Sequence, residues 1–345
     1  MSEPKGRTTP DAAFIAGLPK CELHVHLEGS LRPATQLRLA RRNGIVTSLE
    51  EVERRFDFRD FDHFVQLFVF GLRLFQTAED FADAVESLAV ELAAQNVWYA
   101  EVTTTAFSHR LRGVPVGEYV EGLNAGRRIA RERHGVEIGW VIDIPRELEP
   151  PDDGFTATFL TGPDAPEGVV GIGLGGPETG FPPELFAASF ARARAAGLRS
   201  LPHAGETQGP ASIRGALDAL GADRIGHGVR CIEDAALLEE IVARGIHLEV
   251  SITSNVLLGV VPDVAGHQFP LLRDAGVSVS INTDDPAYFD TTLNDEIAIA
   301  TAAYGLTRAD LVDLQRAAFE ASSLVAERKR SALTELAAVA ADALP

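Results

Sequence analysis

Cysteine is nearly absent: the chain of 345 residues holds two, Cys21 and Cys231. They stand too far apart in sequence for a CxxC metal or redox motif, and two thiols make no disulfide framework. A reducing cytoplasm fits this usage and is the expected location. Basic charge is also scarce. Against 50 Asp plus Glu there are 31 Lys plus Arg, for a net charge of -19. That field repels polyanions, which excludes nucleic acid and anionic membrane as partners. Long apolar runs are missing too. No window of about 18 uninterrupted apolar residues occurs, and residues 1–18 show no basic start leading into an apolar stretch, so neither a membrane span nor an export signal is expected. A folded core is well supplied, because 46% hydrophobic and 23% charged residues exclude disorder as the main state.

Short β-branched runs followed by helical patterns recur along the chain, as parallel βα units require. Eight strands are expected: Lys20–Leu27, Trp98–Thr104, Glu137–Ile144, Val169–Gly176, Arg199–Ala204, Arg224–Gly228, His247–Asn255 and Ser278–Asp284. Amphipathic stretches such as Phe81–Gln95, Glu118–His134, Pro183–Ala196 and Asp234–Arg244 lie between them. The pattern predicts an α/β fold, a single (β/α)8 TIM barrel over residues 1–345. Roughly seventy residues separate the first two runs, more than a crossover helix needs, so a helical insertion is expected over about residues 30–95. It carries Phe56, Phe58, Phe61, Phe64, Phe68, Phe70, Phe75 and Phe81, eight of eighteen phenylalanines. Following the carboxyl end of the first strand, it reads as an apolar lid, or else as a helical pair whose phenylalanines pack only on each other. Leu306–Leu344 reads as a helical tail, and Pro145–Pro166 as a loop within the alternation rather than a linker.

The ionisable residues that interrupt apolar runs all fall at the carboxyl ends of expected strands. His24 and His26 end the first, His203 and Glu206 the fifth, His227 the sixth, Asp284 and Asp285 the eighth. Residues two apart on a strand share a face, so His24 and His26 point into the barrel mouth together. His203 and Asp284 complete a mixed nitrogen and oxygen donor set that leaves a position for water, the pattern of a catalytic divalent metal. His63, His109, His134, His247 and His267 fall outside the pattern and read as ordinary hydrogen-bonded residues. Gly171, Gly173 and Gly176 match GxGxxG, but Pro177, Pro182 and Pro183 delay the helix that a dinucleotide site needs. A glycine-rich strand end that admits a flat ligand is the better reading.

In this order, PKCELHVHLEGSLRP, GLGGPETG, HAGE, RIGHGVR, TSN and NTDDPAYF resemble the adenosine deaminase family of metal-dependent barrel hydrolases, over about Leu18 to Leu306. The resemblance implies one zinc per chain on His24, His26, His203 and Asp284, proton handling by Glu206 and His227, and purine contacts from Asp285 at N7 and Gly176 at N3. It also implies a small purine nucleoside as partner. Replacing an amine by oxygen at purine C6 needs a strong nucleophile at neutral pH and a proton on the ring. Zinc lowers the pKa of water to about 7 and so supplies the first. A carboxylic acid at Glu206 would supply the second at N1, with His227 taking or holding the water proton. Asp285 would need to be protonated, or to meet a protonated N7. The separate zinc deaminase class with a PCxxC signature is excluded, since no CxxC exists here.

Departures from the family pattern bear on substrate. Adenosine enzymes place Asp two residues after the second histidine to bind the ribose 5′-hydroxyl, where this chain has Glu28. Adenine deaminases and deaminases of aminodeoxyfutalosine, an adenine nucleoside with a 5′ aryl carboxylate, resemble this HxHxEG form. The adenine enzymes carry Asp before the sixth-strand histidine, whereas Gly226 stands here, as in nucleoside enzymes. His109, Arg110 and Arg112 are candidates to receive the aryl carboxylate. The expected order is therefore aminodeoxyfutalosine, adenosine, then adenine. An amide or ester hydrolase on the same barrel is disfavoured, because Lys5, Lys20 and Lys329 are the only lysines and none is placed to bridge metals. A non-catalytic nucleoside-binding protein is disfavoured because no catalytic position is missing.

Overall fold

The computed structural model describes residues 10–343 apart from 60 and 153. Eight strands form: β1 (Lys20–His26), β2 (Val97–Thr104), β3 (Glu137–Pro145), β4 (Val169–Gly175), β5 (Arg199–Ala204), β6 (Arg224–His227), β7 (His247–Val250) and β8 (Ser278–Ile281). They are hydrogen-bonded in chain order, and each neighbouring pair is parallel. Past β8 the backbone closes the ring on β1, with His26 N donating to Asp284 O at 2.8 Å and Asp284 N to His24 O at 3.0 Å. The result is a (β/α)8 barrel, whose strands are buried on both faces and so read as near-continuous apolar runs.

Two strands are shorter than their β-branched sequences suggest. β7 stops at Val250, and Ile252–Leu257 turns into a helix. β8 stops at Ile281, where the Asn282 side chain takes over as the partner of Leu23 N at 2.9 Å, and Asp284, at φ +63, then makes a single isolated bridge with Val25. In both places local tertiary demands override β propensity. They are also the two places where the sequence runs from strand directly into site residues.

The insertion comprises helices Pro33–Arg42, Leu49–Glu53 and Phe61–Gly71, ahead of the crossover helix Ala78–Ala94. Asp80, fully buried, fixes the turn between the last two: Gln76 N and Thr77 N donate to its Oδ2 at 3.1 and 3.0 Å. Arg42 and Asn43 bind the same carboxylate at 3.0 Å each, which ties in helix Pro33–Arg42. The phenylalanines divide between roles. Phe75 and Phe81 join the main core. Phe64 forms a separate apolar cluster with Leu258, Tyr288 and Phe289, against which Phe56, Phe58 and Phe68 pack. Phe70 lies under Arg55 and Arg73, at 4.1 and 5.1 Å from ring centroid to guanidinium carbon. The side chain of Phe61 lies outside the described residues.

After β8, helices Leu293–Tyr304, Arg308–Ala321 and Ala326–Ala343 complete the fold, Leu344 lying outside the described residues. Gln315 and the carbonyl of Ala321 reach the barrel floor, accepting from Cys21 N at 2.9 Å and Arg224 Nη1 at 3.0 Å. Among the described residues no helix is long and apolar enough to cross a membrane.

Candidate active site

His24 and His26 share a face at the end of β1, with fully buried Val25 between them pointing the other way. His203 arrives from β5 and Asp284 from the closing segment after β8. One ligand atom from each of the four lies within 4.8 Å of the others. His26 Nε2 is 3.2 Å from Asp284 Oδ1 and 3.2 Å from His203 Nε2, and His24 Nε2 is 3.4 Å from Asp284 Oδ1.

Neutral imidazoles do not fully pair within this cluster. Burial opposes ionisation of Glu249, yet Arg224 beside it holds its carboxyl down to about 2, so it accepts only. His24 Nδ1 must therefore donate to Glu249 Oε2, at 3.0 Å, and a neutral His24 turns the lone pair of Nε2 toward a carboxylate oxygen. That Nε2 is buried and has no hydrogen-bond partner. His26 Nε2 and His203 Nε2, 3.2 Å apart, pair with each other only when one of them carries a proton. A divalent cation on three nitrogens and one carboxylate oxygen takes up these lone pairs, and the donor set suits zinc. Behind the cluster, Ser254 Oγ donates to Asp284 Oδ2 at 2.7 Å, while Asp143 Oδ2 faces His203 Nδ1 at 3.5 Å without a hydrogen bond.

Glu206 and His227 stand beside the cluster, His227 Nε2 lying 3.8 Å from Glu206 Oε1 and 3.9 Å from Asp284 Oδ2. Burial, reinforced by the Asp284 charge, pushes Glu206 up to about 8. The loop that carries it is pinned by Glu178 of the PETG run, whose carboxylate accepts from the backbone N–H of Gly205, Glu206, Thr207 and Gln208 at 2.7 to 3.0 Å. Among the described residues only four outside glycine have positive φ, and two of these are His227 (φ +60) and Asp284 (φ +63). Strain of this kind persists where surroundings over-determine the backbone, as at active sites. Asp285 is buried with Oδ1 unpartnered, and burial pushes its carboxyl up. Gly29 makes room for it, since a Cβ there would fall 1.7 Å from Asp285 Oδ1.

One cavity joins these groups, lined by His26, His203, Glu206, His227, Asp284 and Asp285 on one side and by Phe64, Phe68, Leu72 and Leu148 on another. Gly176 also lines it with φ +89, which favours glycine. The glycine-rich end of β4 therefore serves a cavity and opens no helix, as the next helical turn begins only at Pro183.

Not every expected group arrives. Glu28 is buried and absent from the cavity lining. Its Oε1 accepts from Thr104 Oγ1 at 2.6 Å and Thr105 N at 3.2 Å, and lies 2.9 Å from His109 Nε2, leaving Oε2 unpartnered. His109, enclosed by Phe75, Phe81 and Tyr119, is thus a partner of Glu28 and no receiver of ligand. Arg110 lies over Phe155 at 4.4 Å, and Arg112 lines a different depression with Arg73, so neither reaches the cavity. The expected aryl-carboxylate cluster is corrected accordingly: His109 and Arg110 leave helix Ala106–Leu111 in different directions, and Arg112 already lies past its end as the capping residue. Conversely, Asp143, Glu147, Glu249 and His267 bear on the site and were given no part in it by the sequence, while Glu178 and Asn255 stood in the GLGGPETG and TSN motifs without a role. Asp143 and Glu249 were legible, being acids that break the apolar runs of β3 and β7.

Residues 19–339 match the family model described as Adenosine deaminase. An aminodeoxyfutalosine deaminase of Streptomyces coelicolor is 41% identical over 328 residues, covering 94% of this chain and 85% of that protein. An adenine deaminase of Rhodospirillum rubrum is 38% identical over 332 residues, covering 95% of this chain and 99% of that one. Among solved structures, an amidohydrolase from Burkholderia ambifaria with bound Zn superposes with a TM-score of 0.88 at 26% identity, covering 98% of this chain and 97% of that chain. A barrel with a metal-fitting cluster at its mouth, matched almost end to end by these deaminases, belongs to the adenosine deaminase family of hydrolases acting on C–N bonds.

Proposed function

We propose that the chain hydrolyses the 6-amino group of an adenine nucleoside, placing oxygen at C6 and releasing ammonia, with aminodeoxyfutalosine as first substrate, adenosine second and adenine third. The observation that carries the reading is the convergence of His26, His203, Asp284, Glu206, His227 and Asp285 on one cavity, with His24 joining three of them in the donor cluster behind it. Zinc is the proposed ion, one per chain on His24, His26, His203 and Asp284, and when bound it lowers the pKa of water toward neutrality, which makes a nucleophile available at pH 7.

The chain's own residues do the rest. Glu206 faces the cavity as a carboxylic acid and donates to ring N1, which leaves C6 electron-poor. His227 holds the attacking oxygen, and such positioned groups contribute about 10² to 10⁴-fold each. Asp285 hydrogen-bonds N7, one proton being carried by either partner. Gly176 presents bare backbone at the N3 edge. Next to it stands Glu147, because a Cβ at Gly176 would fall 2.2 Å from Glu147 Oε2, an atom that is buried and unpartnered. A carboxyl at that edge is placed to meet ribose hydroxyls. The apolar wall of Phe64, Val65, Phe68, Val69, Leu72 and Leu148 offers a surface for an aromatic 5′ substituent. Glu28 is proposed to act on specificity indirectly, by fixing Thr105 on the cavity wall.

The Streptomyces relative supports the nucleoside reading, and the Rhodospirillum relative supports adenine as the alternative. Ammonia release from adenine, adenosine, 5′-deoxy-5′-methylthioadenosine and aminodeoxyfutalosine separates them. The nucleoside reading expects the highest kcat/KM on aminodeoxyfutalosine and little turnover of adenine, and the reverse order would replace it.

A further inference from the structure

His267 lies in the loop ahead of helix Phe269–Asp274, far in sequence from every proposed site residue, and is 3% exposed. Its Nδ1 accepts the backbone N–H of Phe269 at 2.9 Å. A backbone amide can only donate, so Nδ1 carries the lone pair and the proton of the neutral ring sits on Nε2. Burial pushes this histidine down to about 4, which keeps it neutral. Nε2–H then donates to Asn255 Oδ1 at 3.1 Å. That contact decides which way the Asn255 amide points, and its NH2 faces His227 Nδ1 at 3.2 Å. Asn255 is fully buried on helix Ile252–Leu257 and cannot turn over without breaking both bonds.

We infer that His267 and Asn255 are positioning residues that hold His227 in the Nε2–H tautomer, so that this ring presents a donor and not a lone pair to the reaction centre. Each bond in the series fixes the polarity of the next, starting from a backbone N–H that has no alternative. The His227 ring edge thus directed toward Glu206 and Asp284 is an N–H, at 3.8 and 3.9 Å. Of the two roles open to His227, taking a proton from water or holding the oxygen, the series selects holding. The proton for N1 is left to Glu206, whose carboxylate, having given it up, takes the proton of the added oxygen and passes it to the departing amine, so that NH3 leaves. The role of His227 in turnover rests on the proposed deaminase reading, whereas the tautomer does not.

Long-range ¹H–¹⁵N correlation spectra of the zinc-loaded, ¹⁵N-histidine-labelled protein test this directly, with His227 and His267 assigned by single substitution. Both rings are expected to show a protonated Nε2 and a bare Nδ1, and a His227 protonated at Nδ1 overturns the inference. Asn255→Asp keeps the shape but offers only acceptors, so His227 is expected to move its proton to Nδ1. The kcat then falls about 10²-fold with zinc content unchanged. His267→Gln retains a donor toward Asn255 and is expected to stay within about threefold of wild-type kcat. An Asn255→Asp protein that shows the inverted tautomer at full kcat leaves the tautomer assignment standing and removes His227 from the proposed mechanism.

Discussion

Two clusters of buried charge sit a few residues apart inside the barrel, and they differ in how completely they are paired. On the floor side, Arg224 donates to Glu249 Oε1 at 2.6 Å, to Glu101 and to the carbonyl of Ala321 at 3.0 Å. Glu101 also accepts from Ser323 N at 2.6 Å and Tyr99 Oη at 3.2 Å. No side-chain atom of Arg224, Glu101 or Glu249 is left without a partner. At the mouth, His24 Nε2, His203 Nδ1, both oxygens of Asp143, Asp285 Oδ1 and Glu147 Oε2 are buried and make no hydrogen bond. Burial of charge is common to both, so it does not mark function. Unmet capacity gathered on ionisable groups around one cavity does, because single unpaired atoms such as Trp140 Nε1 or Ser200 Oγ are scattered through the fold, whereas a group of them at a cost of about 1 to 3 kcal/mol each is held for something else. Glu249 joins the two clusters, one oxygen on Arg224 and the other on His24, so the paired floor orients the open mouth.

The comparison breaks if the two clusters respond alike to mutation. Arg224→Met should have the largest effect on folding, about 3 to 5 kcal/mol, because it leaves Glu101 and Glu249 buried without their cation. Urea titration measures it, and an unchanged midpoint would mean that the floor is not held by these pairs. Glu206→Gln should do the opposite, lowering kcat by about 10² or more while zinc content and unfolding midpoint stay put. A near wild-type kcat would place the acid elsewhere.

Glu178 sharpens the boundary between the two behaviours, since it is a paired carboxylate that serves the open site. Its burial is outweighed by Ser212 and the loop N–H groups, which lower its pKa in the folded chain. A carboxyl with a depressed folded pKa contributes stability above its unfolded value of about 4.3, and that contribution is lost as pH falls through the folded value. Glu178→Gln should therefore be less stable than wild type at pH 7, and the gap should narrow below about pH 4. Thermal unfolding across pH decides it, and a gap that widens on acidification contradicts the assignment. The smallest effect is expected at Glu147. Glu147→Ala should lower kcat/KM for a nucleoside relative to adenine by about tenfold, equivalent to one hydrogen bond of about 1.4 kcal/mol. An unchanged ratio removes Glu147 from ribose recognition.

Much of the site was legible because strand ends are simple to read. His24, His26, His203 and Asp284 interrupt apolar runs at one end of alternating strands, and a period of two settles which way the histidine pair points. Glu28 was legible as a position and not as a contact. Nothing near residue 28 announces that His109 will pack against it from the helix after β2. Arg110 and Arg112 show the converse, where neighbours in sequence diverge because the short helix ends between them. The series from His267 to His227 was hidden for a deeper reason: it joins three elements through single hydrogen bonds whose polarity depends on one backbone amide.

The central claim is that the open cluster at the barrel mouth is held for a metal ion, and metal analysis of protein purified without chelator tests it most directly. About one equivalent of zinc per chain is predicted, falling to a small fraction in His26→Ala while Glu206→Gln, beside the cluster but outside the donor set, keeps its share. Fully active wild-type protein with no divalent metal, or undiminished zinc in His26→Ala, would contradict the account.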